Sequence, residues 1–186
     1  MSAQLEHRRF NVTEYYQMAA AGILTPDDRV ELIEGEIIKM SPIGSPHAAC
    51  VSRLVRLANR LVDESAIVWV QNPVRLSNFT EPVPDVALLK PRADYYAARH
   101  PVPDDALLLI EVADSSLLKD RNVKIPLYAR SGIPEVWLIN LPKAVIEVYT
   151  ELQNAQYSKV LEFDRAAVVV SSSLEGWSIP AADILG

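Results

Sequence analysis

Three residues invite chemistry. Asp85 follows Pro84 and enters the apolar run Val86-Ala87-Leu88-Leu89. Glu111 closes a second run, Leu107-Leu108-Leu109-Ile110, and precedes Val112, while Lys124 comes later in Asp120-Arg121-Asn122-Val123-Lys124. Each carboxylate adjoins a stretch that reads as a buried strand, where a lone charge is expensive to place. Two carboxylates and a lysine brought together could hold a divalent metal ion and a water, the equipment of metal-assisted phosphodiester cleavage. Singly, each has a plainer reading. Asp85 suits a turn, and Lys124 suits an exposed helical ion pair with Asp120, four residues earlier.

The elements that must position this trio follow from spacing and turn chemistry. A short helix is predicted over Thr13 to Ala21, with Thr13 as its cap. Arg29 to Met40 reads as a hairpin whose tip is Glu34-Gly35, because glycine accepts the positive φ of a tight turn. Ser45-Pro46 opens a stronger helix, serine as cap and proline first. Its apolar residues Val51, Leu54, Val55, Ala58, Leu61 and Val62 form one face. Ala66 to Val70 and Val74 to Leu76 are strand-like, and the two carboxylate-bearing strands follow. Asp120 to Arg130 reads as helix, and Pro126 requires either a start near Asn122 or a kink. Glu135 to Asn140 reads as a buried strand; Val145 to Tyr149 and Tyr157 to Phe163 read as antiparallel strands with one wet face. This order gives a mixed central β-sheet flanked by helices, an α/β or α+β fold.

Composition sets the bounds. The chain has 186 residues, 49% of them hydrophobic, which suits one globular domain over 1–186. No apolar stretch approaches the roughly 18 residues of a membrane span, and the start lacks the apolar core of a secretory signal. One cysteine, Cys50, permits no internal disulfide, so a cytoplasmic location is expected. Three histidines and that cysteine make no zinc spacing. A net charge of −6 argues against nucleic-acid binding by the whole surface, leaving a local patch assisted by metal ions. Arg53, Arg56 and Arg60 could form a phosphate stripe beside the site, although a solvated helix face is the simpler reading. Trp69, Trp137 and Trp177 read as core rather than stacking platforms, and Cys50 as buried filler.

The quoted segments also carry a resemblance. Pro84-Asp85, Glu111-Val112, Lys124 with Tyr128-Ala129, and Gly132-Ile133-Pro134-Glu135-Val136-Trp137 resemble the Uma family of putative restriction endonucleases, a branch of the PD-(D/E)XK nuclease superfamily. Glu31-Leu32-Ile33-Glu34-Gly35-Glu36-Ile37, His47 and Leu174-Glu175-Gly176-Trp177 fit the same pattern, so the likeness runs from about Tyr15 to Leu185. It implies a restriction-endonuclease-like fold and a DNA endonuclease. Asp85, Glu111 and the Val112 carbonyl would hold Mg²⁺ or Mn²⁺, which prefer hard oxygen ligands. Lys124 would orient the attacking water. Glu31 would be an outer acidic member, and His47 would meet the phosphate or the metal's water shell.

One departure stands out. The superfamily's usual lysine lies two residues after the second acid, where this chain has Ala113, so the resemblance requires the lysine to have moved to Lys124 on the next helix. A nuclease-fold domain without catalysis, serving as a binding or assembly module, is the alternative. A homodimer is expected of an enzyme that cuts both strands of a duplex.

Overall fold

The computed structural model describes residues 7–186; residues 1–6, part of the start read above for a leader, lie outside them. A six-stranded mixed sheet has the order β3 (Ile67–Val70), β4 (Val86–Leu89), β5 (Ala106–Ala113), β6 (Val136–Asn140), β7 (Val145–Gln153), β8 (Gln156–Phe163). Every neighbouring pair is antiparallel except β5 and β6. That parallel step needs a crossover, and the helical segment Leu117 to Arg130 supplies it.

Both faces of the sheet are covered, which is why its central strands are continuous apolar runs. On one face, Val86, Leu88, Leu108, Ile110, Trp137 and Ile139 pack against α2 (Ser45–Leu61) and the terminal helix α5 (Ala181–Leu185). On the other, Ala87, Leu89, Leu109 and Leu138 pack against Ile125, Tyr128 and Ile133 of the crossover. Among the described residues no helix is long and apolar enough to cross a membrane.

The hairpin is β1 (Val30–Ile33) and β2 (Glu36–Lys39), with Glu34 and Gly35 at φ 50° and 84°. Other boundaries differ from expectation. The first helix, α1 (Val12–Ala20), is capped by Asn11 rather than Thr13, in a reciprocal box with Glu14. Gly44, not Ser45, is the residue before α2, which leaves Pro46 second in the helix. Val74 to Leu76 forms no strand; its amides donate to Pro82 and Thr80 in one segment and to Pro101 in another. β7 is buried through its first six residues, and the exposure expected of both strands falls on the edge strand β8. Short strands β9 (Val168–Val170) and β10 (Ser178–Pro180) pair after the main sheet.

The predicted Asp120–Arg130 helix is composite. A turn α3 (Leu117–Lys119) runs into a π-helical turn over Asp120–Lys124 and then α4 (Ile125–Arg130). Pro126 therefore falls second in α4, directly after the π turn, so the helical segment is continuous and departs from regular α geometry next to the proline. Trp137 and Trp177 lie in the core with ring centres 5.5 Å apart, while Trp69 is only partly buried. Arg53 donates to the carbonyls of Ile184 and Leu185, at 2.8 and 3.0 Å, so it caps α5 and contributes to no phosphate stripe.

Candidate active site

Strand register explains how two distant acids become neighbours. Val86 pairs with Ile110 in the β4–β5 ladder, and continuing one residue brings Asp85 opposite Glu111. Side chains directly opposite in antiparallel strands have Cβ atoms about 5 Å apart. The row extends in both directions. Gln71 donates its amide to the Asp85 carbonyl on one side, and Leu138 and Glu147 continue it on the other.

Asp85 is fixed from three directions. The Val112 N–H donates to its Oδ2 at 2.8 Å, Gln71 Nε2 reaches Oδ1 at 3.3 Å, and His47 Nε2 lies 3.1 Å from either oxygen. His47 belongs to the first turn of α2, so that helix start is aimed at the acid. Burial raises the Asp85 pKa, but the His47 bond, the Val112 amide and Gln71 outweigh it and hold the carboxyl below its usual range. The reciprocal bond raises His47 against its own desolvation.

Glu111 is almost wholly buried, and its Oε1 accepts from Lys124 at 3.0 Å and from the Tyr128 hydroxyl at 2.5 Å. Among the described residues no donor is bonded to Oε2. Lys124 thus comes back over the strand end from the crossover, as its migrated position required. Its ammonium also meets Glu31 Oε2 at 3.2 Å and the Val83 carbonyl at 3.5 Å. Glu31, on β1 and fully buried, is shared with Lys119, whose Nζ lies 3.0 Å from Oε1. The exposed pair with Asp120 that Lys124 could have formed is absent from the ion pairs of the described residues; both side chains are buried instead.

Four participants escaped sequence reasoning: Gln71, Lys119, Asp120 and Tyr128. Asp120 is buried, accepts from Ser116 Oγ at 2.5 Å and lines the same pocket as Asp85, Glu111 and Lys124. A signal for two of them was present, since Asp120, Lys124 and Tyr128 recur every four residues and so share one helical face. Gln71 and Lys119 become visible only once the register and the π turn are known.

The electrostatics are lopsided. Burial pushes Glu111 up to about 8; Lys124 opposes this, while Asp120 and Asp85 add to it. Desolvation pulls Lys124 down, but Glu111, Glu31 and Asp120 more than reverse it. Lys124 stays cationic, because three acids face it. Asp120 is likewise raised, first by burial. Glu31, despite burial, is held low by Lys124 and Lys119, and Asp85 by His47, Val112 and Gln71, which leaves Glu111 and Asp120 as the acids short of compensation.

A divalent ion fits this imbalance. The pocket, about 60 Å³ between the Met40–Gly44 loop and the Asp114–Asp120 segment, has room for an ion and a few waters. Among the described residues, no three acidic, histidine or cysteine side chains are grouped so as to hold a metal ion by themselves. Two carboxylates suit Mg²⁺, which keeps several waters and takes substrate phosphate as further ligand. Val112 turns its N–H toward Asp85 and lines the same pocket.

Comparisons with known proteins bear on the fold and the family. A crystal structure described as a putative nuclease belonging to DUF820 from Anabaena variabilis superposes with a TM-score of 0.72, covering 95% of this chain and 97% of that one at 20% identity. That likeness shows the fold, a mixed sheet with flanking helices. Among curated proteins nothing matches. The model of the Uma2 family, described as "putative restriction endonuclease", matches residues 12–182, and the chain belongs to that family.

Proposed function

We propose that this protein is a metal-dependent endonuclease that hydrolyses DNA phosphodiester bonds. The observation that carries the reading is the surplus of carboxylate charge around Glu111, set beside Asp85 in a pocket closed on one side by a buried lysine. Asp85, Glu111 and the Val112 carbonyl would hold Mg²⁺ or Mn²⁺. Bound there, the ion would polarise a phosphoryl oxygen and lower the pKa of a water.

The chain's own residues do the remainder. Lys124 has three N–H donors, engaged with Glu111, Glu31 and the Val83 carbonyl, and the Val83 contact is the longest. Exchanging that one for a water aligns the nucleophile and offsets charge growing on the phosphate. Glu31 keeps the ammonium in place during the exchange, and Lys119 on its other oxygen is free to turn toward substrate at the pocket rim. His47 orients Asp85 through Nε2, while its buried Nδ1, unpartnered among the described residues, is available to a water or a phosphate oxygen. Hydrolysis adds the water oxygen to phosphorus, breaks the bond to the leaving deoxyribose oxygen and transfers one proton to that oxygen. We further propose a homodimer, one site for each strand of a duplex.

The experiment is plasmid cleavage with Mg²⁺ or Mn²⁺, compared with chelator and with Asp85→Ala and Glu111→Ala. Nicking or linearisation by the wild type, lost in both variants, is expected. Equal traces of cleavage in all three would leave the binding or assembly module as the better account. Sedimentation gives the dimer its own test, since a monomer at working concentration removes it.

A further inference from the structure

The segment that delivers Lys124 is fastened to one row of the sheet at two points. Glu111 pairs with Leu138 and Leu138 with Glu147, so both carboxylates project from the same face, two strands or about 10 Å apart. Lys124 and Tyr128 land on Glu111. Arg121, three residues before Lys124, lands on Glu147, with Nε 3.2 Å from Oε2 and Nη2 against Oε1. Glu147 is itself buried and takes two further bonds, from Asn140 Nδ2 at 3.0 Å and the Tyr149 hydroxyl at 2.7 Å. The end of β6, strand β7 and the π turn therefore meet on one carboxylate.

The π turn makes this tie consequential. Its ring closes from the Ile125 amide to the Asp120 carbonyl, a wider and rarer closure than the α-helical one. Relaxation to an ordinary α turn drops one residue and rotates everything upstream by roughly 100° relative to α4. Lys119 and Asp120 would then leave the pocket while Tyr128 stayed. Asn122 and Val123, in the same turn, are exposed, and neither has a side-chain hydrogen bond to the sheet. The forked Arg121 contact ties the turn to the sheet at Glu147, and a planar guanidinium across both oxygens of a fixed carboxylate is well suited to hold a register.

We propose that Arg121 and Glu147 form a positioning clamp, which holds the π turn so that Lys119 and Asp120 enter the pocket beside Lys124. Neither residue touches substrate, and the consequence for catalysis rests on the nuclease reading of the same pocket.

The test uses the full-length protein carrying Arg121→Ala, Arg121→Lys or Glu147→Gln. Hydrogen exchange at the Ile125 amide reports the π closure whether or not the protein cuts DNA. Arg121→Ala is expected to speed that amide by about tenfold or more and leave β5 and β6 amides unchanged. In cleavage it should lower kcat on the order of tenfold to a hundredfold with KM within about twofold, the signature of a misplaced group. Mn²⁺ affinity, which depends on Asp85 and Glu111, should stay within about twofold, and Arg121→Lys should recover part of the loss. Wild-type exchange and kcat in Arg121→Ala would overturn the clamp. So would a loss that tracks a general rise of exchange through β5 and β6. A wild type that never cleaves, with the Ile125 amide alone responding to Arg121→Ala, would support the clamp and overturn the nuclease reading.

Discussion

Glu111 and Glu147 stand in one row of one sheet, and both are nearly sealed from water. Their surroundings differ in kind. Both Glu147 oxygens accept hydrogen bonds, from Arg121, Asn140 and Tyr149; burial raises its pKa, but those donors prevail and hold it low. Glu111 receives both of its donors on one oxygen, with Asp85 and Asp120 adding negative charge nearby, and is pushed up to about 8. Burial is common to both, so burial alone does not mark a site. The ratio of donors to acids does: the satisfied carboxylate joins elements, and the under-supplied one is left able to take a cation.

The largest break in this comparison comes from Lys124→Ala. It should lower kcat by about 10²- to 10³-fold if the ammonium stabilises charge on the phosphate, measured by initial rates of oligonucleotide cleavage. Next is stability. Glu147→Ala strands the donors of Arg121, Asn140 and Tyr149 and should cost about 1–3 kcal/mol in chemical denaturation, reduced because Arg121 is partly exposed. Glu111→Gln, measured metal-free above pH 8, should cost less than Glu147→Ala or even stabilise, since it removes an ill-supplied charge.

The pH dependence sharpens the same contrast. An acid whose pKa is raised on folding holds its proton more tightly in the native state, so its contribution is fully present below about pH 4.5 and is lost as pH rises through about 8. Metal-free wild type should therefore lose thermal stability between those limits, and Glu111→Gln should flatten the profile. Glu147, held low, has the opposite sign: its contribution is present above the ordinary carboxylate range and fades in acid. The smallest effect belongs to the exposed Arg130–Glu34 pair, whose loss in Arg130→Ala should fall within about 0.5 kcal/mol.

Much of this was legible in the sequence. The run that follows Asp85 and the run that ends at Glu111 identified buried strands bearing acids, and Gly35 identified the hairpin that carries Glu31. The family's order of segments singled out Lys124, and the crossover brings its ammonium to Glu111. What stayed hidden depended on register or on a local departure from regular helix. Gln71 joins Asp85 only because of strand pairing. The π turn over Asp120–Lys124 has no sequence signature beyond the nearby Pro126, yet it decides that Lys119 and Asp120 enter the pocket. Glu147 looked like a residue on a wet strand face, and only the crossover packed above it shows why it is buried. Thr13 lost the cap of α1 to Asn11, because Asn11 and Glu14 bond each other reciprocally.

The central claim is that Asp85 and the under-supplied Glu111 beside it form a divalent cation site. Calorimetric titration of Mn²⁺ into the wild type and Glu111→Gln tests it most directly, without requiring activity. Saturable binding of one ion at millimolar affinity or tighter, lost in Glu111→Gln and kept in Glu147→Gln, is the predicted result. No saturable binding by the wild type, or equal binding by Glu111→Gln, would contradict it.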